Sequence, residues 1–118
     1  MKPKLAYVDH RIRFAHNFIE LLEKEGIDFK PYASFEKFFS ENDLKEFPVM
    51  ICHPGLDNQS VLTKIVKDFP HLKLGLISFT EYEYYCEEDN IICFSYNTPQ
   101  SAIEWIKKNQ FTLTSKSL

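Results

Sequence analysis

Five short apolar runs, each followed by a helical pattern, constrain this chain more than any other feature of its sequence. The clearest is Pro48-Val49-Met50-Ile51-Cys52, which breaks at His53-Pro54-Gly55 and passes through Leu56-Asp57-Asn58 into a new helical period. A continuous apolar run of that length, bounded by turn residues, suits a parallel strand covered on both faces. The other runs are Lys4 to Val8, Ile27 to Tyr32, Leu72 to Ile77 and Ile91 to Phe94. Pro31 brings no N–H to a ladder and so predicts an edge position for the second run.

The helical patterns carry their own boundaries. Phe14, Phe18, Leu21 and Leu22 recur at helical spacing between Arg11 and Glu25, and Gly26 supplies a stop. Ser34 is the predicted cap of a helix through Phe35, Phe38 and Phe39 that frays near Asn42. Asp57 or Asn58 caps a helix bearing Val61, Leu62, Ile65, Val66 and Phe69, closed by Pro70. Thr80-x-x-Glu83 reads as a capping box for a short helix through Tyr84 and Tyr85. Thr98-Pro99 predicts a cap and a first-turn proline for a last helix with Ala102, Ile103 and Ile106, Trp105 lying on a neighbouring face. Residues 1–109 are read as one domain and 110–118 as a polar tail.

Five βα units with short connections imply right-handed crossovers and a three-layer (βα)5 α/β sandwich, for which the parallel sheet order 2-1-3-4-5 is one standard solution. Ligands of such sheets sit at the carboxyl ends of the strands. A thioredoxin-like fold is disfavoured because no Cys-x-x-Cys follows the first strand, and a dinucleotide-binding half because no glycine-rich turn follows it.

Composition narrows the partners. The chain is 44% hydrophobic and 26% charged, which suits a folded globular domain. Its formal net charge of -3 offers no general attraction to nucleic acid or anionic membrane, and no apolar run reaches bilayer-spanning length. Met1-Lys2-Pro3-Lys4 carries no cleavage-site pattern, and the three cysteines are too irregularly spaced for a disulfide framework or a zinc motif. The expectation is a cytoplasmic protein with no nucleic-acid or membrane partner.

The chain resembles the receiver domain of bacterial response regulators over nearly its whole length. The matching stretches are Tyr7-Val8-Asp9, Pro54-Gly55-Leu56-Asp57-Asn58, Ile77-Ser78 and Thr98-Pro99, in family order and spacing. The resemblance implies a flavodoxin-like fold and identifies the positions where the family's chemistry would lie. Receivers hold Mg²⁺ on two acids after the first strand; the first matches Asp9, but the second is His10. The phosphoryl-accepting aspartate, four residues before the loop proline, falls at Met50, with Ile51 and Cys52 as the slipped alternatives. The switch hydroxyl matches Ser78, and the lysine of the fifth strand is replaced by Ser95, next to Tyr96. Phosphoryl transfer to a carboxyl group needs an oxygen nucleophile, a hard cation and an ammonium clamp. The resemblance therefore implies a pseudo-receiver that is not an enzyme, needs no cofactor or metal, and works by contact with signalling proteins or by homodimerisation.

Two further features have their own readings. Asp9, His10, Cys52 and His53 are metal-ligand types near neighbouring strand ends, the alternative being a small metal-binding or enzymatic α/β protein. Against a Cys52–His53 nucleophile pair stands strand geometry, which sends adjacent side chains to opposite faces. Tyr82, Tyr84 and Tyr85 lie among five acids between Glu81 and Asp89 and, with Tyr96 and Trp105, form the candidate partner-binding set.

Overall fold

Strands Leu5–Val8 (β1), Pro31–Tyr32 (β2), Val49–Cys52 (β3), Lys73–Ser78 (β4) and Ile92–Ser95 (β5) build one parallel sheet in the order β2-β1-β3-β4-β5. They are seen in a computed structural model that describes residues 3–53, 59–79 and 91–110. The helices are His16–Lys24 (α1), Phe35–Glu41 (α2), Gln59–Asp68 (α3) and Gln100–Lys108 (α4). This is the flavodoxin-like sheet order that the alternation of runs predicts.

Every residue of β1 and β3 is buried, because helices cover the sheet on both sides. Leu5, Tyr7, Val49, Ile51 and Ile77 point to one side, where they pack with Phe18 and Leu22 of α1 and Ala102, Ile103 and Ile106 of α4. Ala6, Val8, Met50, Cys52, Leu74 and Leu76 point to the other, against Phe38 of α2 and Leu62 and Ile65 of α3. The strict alternation is the two-residue period of a strand.

Several local expectations shift. The segment before α1 opens as a 3-10 turn, Ile12–Ala15, whose tighter winding moves Phe14 off the helical stripe. Phe14 is 57% exposed, and the Arg11 guanidinium lies 5.1 Å from its ring centroid. Gly26 does stop α1: at φ 71° it lets its own N–H reach Glu23 O and the Ile27 N–H reach Leu22 O, the paired bonds of a Schellman end. The second run contracts to Pro31–Tyr32, with an isolated bridge between Lys4 and Asp28 before it. Ser34 caps α2, accepting from the Lys37 N–H at 3.2 Å.

Thr98 is not the cap of α4. A tight turn after β5, closed by Thr98 N–H to Ser95 O at 3.1 Å, brings Pro99 itself into helical angles, and no side chain caps the end. The Gln110 side chain accepts from Lys4 N and donates to Lys4 O and Ile106 O. The expected cap at Asp57 or Asn58, the capping-box helix with Tyr82, Tyr84 and Tyr85, and the tail 111–118 lie outside the described residues.

Trp105 is half-buried on the sheet. Its ring packs against Phe94 at a centroid distance of 5.3 Å and covers Gly75, where a Cβ would stand 3.1 Å from the indole and 2.9 Å from Phe94. Glycine at 75 is therefore what admits the indole to the sheet. Among the described residues no helix is long and apolar enough to cross a membrane.

Candidate functional site

The carboxyl edge of β1 and β3 gathers the polar side chains of the α1–α4 side. Asp9 follows β1 and is 1% exposed, yet three donors reach its carboxyl group. Tyr7, two residues earlier on the same strand face, donates its hydroxyl to Oδ2 at 2.8 Å. The Tyr96 hydroxyl, arriving from the loop after β5, donates to the same oxygen. Arg11 donates its backbone N–H to Oδ1 at 2.7 Å, which turns the chain out of β1 toward α1. A buried carboxyl group needs such partners, since leaving its oxygens unbonded would cost several kcal/mol on the order of the desolvation penalty.

The tyrosines pay for this arrangement in their own acidity: burial raises both phenol pKa values well above the ordinary value of 10.0, and the neighbouring Asp9 adds to it. Each hydroxyl therefore stays protonated and remains a donor across the physiological range.

The register of β1 and β3 decides which residue stands beside Asp9. Ala6 pairs with Met50 and Val8 with Cys52, and the His53 N–H donates to Val8 O at 3.1 Å. His53 is thus the strand-end neighbour of Asp9. Met50 lies inside β3, fully buried on the α2–α3 side. The strand runs to within two residues of Pro54, so a count back from the proline lands in the sheet interior.

His10, exposed on the turn after Asp9, meets the buried His53 edge to face at a centroid distance of 4.6 Å. Tyr96 lies parallel to His53 at 6.3 Å and also contacts Phe79 at 4.7 Å. Burial lowers the His53 pKa below 6.5, aided by His10 and Arg11 and opposed by Asp9. One ligand atom each from Asp9, His10 and His53 lies within 4.8 Å of the others. Cys52 does not join them. It faces the α2–α3 core, where burial pushes its thiol pKa upward and disfavours the reactive thiolate.

Ser78 and Ser95 are register partners at the ends of β4 and β5, and the Tyr96 N–H donates to Ser78 O at 3.1 Å. Ser95 Oγ accepts from the Asn97 N–H at 3.0 Å, so the residue at the lysine position shapes a turn. Tyr96, one of the candidate partner anchors, is buried, with its hydroxyl on Asp9 Oδ2. Trp105 serves the core at Gly75 and Phe94. Tyr82, Tyr84 and Tyr85 lie outside the described residues.

Sequence reasoning found Asp9, His10 and His53 and missed what holds Asp9. Tyr7 carried a signal, since residues i and i+2 of a strand share a face. Tyr96 carried none, being 87 positions from Asp9.

The fold is similar to that in the crystal structure of a response regulator receiver domain protein from Bacillus halodurans C-125. The two agree with a TM-score of 0.69 at 15% identity, over 90% of this chain and 97% of that one. No protein-family model matches the sequence, and no curated protein matches it. The likeness establishes a receiver-like fold; the chemistry has to be read from the residues in place. The Mg²⁺ of receivers does not fit the described residues, because Mg²⁺ takes oxygen ligands in near-octahedral order and they offer one carboxyl group beside two imidazoles at this edge.

Proposed function

We propose that this chain is a phosphorylation-independent receiver-like signalling module that acts through protein contact. The observation that carries the reading is the Asp9 network. The acid that a receiver would turn toward a cation is engaged by Tyr7, Tyr96 and the Arg11 amide, and the strand-end residue beside it is His53. With Asp9 the carboxyl group of that edge among the described residues and Ser95 in the place of the lysine, aspartyl phosphorylation is short of its nucleophile, its magnesium ligands and its clamp.

Contact is assigned to the edge of the sheet at β4 and β5. Phe79 and Ile92 are 50% and 43% exposed there, and the acidic, tyrosine-rich segment 81–89 connects the two strands. Apolar side chains supply contact energy, and flanking acids steer a basic partner. The test is quantitative affinity capture with the full chain, with and without acetyl phosphate and Mg²⁺, using wild type and alanine variants at Phe79, Tyr82, Tyr84, Tyr85 and Ile92. The expected result is equal recovery of the same partners under both conditions, and losses of about 1–2 kcal/mol or more for anchor variants whose melting is unchanged. Recovery that requires the phosphodonor overturns the reading.

A further inference from the structure

We propose that Asp9, His10 and His53 form a binding site for a borderline divalent metal ion of the zinc class. The three ligand atoms already lie within 4.8 Å of one another. Four-coordinate zinc holds nitrogen and oxygen ligands at about 2.0–2.2 Å, which sets them roughly 3.3 Å apart. The trio therefore has to close by on the order of 1.5 Å at most. His10 supplies that movement by changing rotamer, being exposed, while Asp9 and His53 are buried at the strand ends.

The surroundings suit a ligand carboxyl group. Among the described residues, two hydroxyls on Oδ2 and one amide on Oδ1 use three of its roughly four acceptor directions, and the fourth lies on Oδ1. Outer hydrogen bonds of this kind fix the orientation of a coordinating side chain, so Tyr7 and Tyr96 are positioning residues. Two imidazoles and one carboxyl group favour zinc, copper or nickel over magnesium or calcium. Three protein ligands leave a fourth position open to water or to a donor brought by a bound protein. The proposal stands apart from the contact reading: metal binding can fail while phosphodonor-independent capture holds, and the reverse.

The experiment uses tag-free, metal-stripped full chain titrated with Zn²⁺ against a chromophoric chelator, with Co²⁺ substitution as the spectroscopic readout. One equivalent of Zn²⁺ is expected, with the visible bands of four-coordinate Co²⁺. His10→Ala, which removes an exposed side chain, is expected to weaken binding by on the order of 10–100-fold or more, and His53→Ala likewise. His16→Ala, on α1 and paired with Glu20 at 2.8 Å, is the control and should bind as wild type does. Tyr96→Phe, in which the ligands remain, should bind Zn²⁺ more weakly and retain the Co²⁺ bands. Absence of stoichiometric Zn²⁺ binding overturns the proposal, as does unchanged affinity in His10→Ala or an equal loss in His16→Ala.

Discussion

The Tyr96 hydroxyl donates to Asp9 Oδ2 and so ties the loop after β5 to the end of β1, across a sequence separation of 87. Tyr7 reaches the same oxygen from within β1, so one buried carboxyl group joins a local and a distant element. Removing one hydroxyl leaves Asp9 two of its three donors among the described residues. Tyr96→Phe is therefore expected to cost about 1–3 kcal/mol in urea unfolding, the range for depriving a buried polar group of a hydrogen-bond partner. Tyr7→Phe should cost a similar amount, and the double variant should depart from the sum because the two bonds share an acceptor. Additive losses would mean that the hydroxyls act independently.

Alkaline stability follows from the same pair. Tyr7 and Tyr96 have folded-state pKa values raised above the unfolded value of 10.0, and the Cys52 thiol is raised above 9.0. Once the pH exceeds the unfolded values, the unfolded chain releases protons that the folded chain keeps. The unfolded state then binds fewer protons, so stability falls as pH rises. Full stability is expected below about pH 9 and a steady decline above it, measured by urea midpoints across the alkaline range. The Tyr7→Phe/Tyr96→Phe variant should show a shallower decline.

The two structurally constrained glycines fail for different reasons. At Gly75 a methyl group would strike the Trp105 and Phe94 rings, so Gly75→Ala is expected to destabilise by about 1–3 kcal/mol through overpacking. At Gly26 nothing lies within 4 Å, and the cost of Gly26→Ala is that of the left-handed backbone alone, about 1–2 kcal/mol. The pair Gly75→Ala and Trp105→Phe separates the mechanisms: the smaller ring should recover part of the loss at Gly75 and none of that at Gly26.

Much of the fold was legible because β1, β3 and β4 are continuous apolar runs whose neighbours announce turns. Capping at Ser34 and the stop at Gly26 were legible for the same local reason. Phe14 was misjudged because a 3-10 turn and an α-helix share an apolar pattern over four residues. In the site, Asp9, His10 and His53 were visible as residue types. Which residue near the end of β3 stands beside Asp9 was not, since strand register depends on a partner strand far along the chain. Tyr96 looked like a surface anchor because the acceptor that buries it lies at the other end of the sequence.

The proposal that the chain carries no aspartyl phosphoryl acceptor is tested most directly by intact-protein mass spectrometry of the full chain after incubation with acetyl phosphate and Mg²⁺. Tyr7, Tyr96 and Arg11 hold the Asp9 carboxyl group in the strand edge, and the adjoining strand end carries His53. The mass is therefore expected to stay that of the unmodified chain. A stoichiometric gain of one phosphoryl group, released by hydroxylamine and lost in Asp9→Asn, would contradict the account.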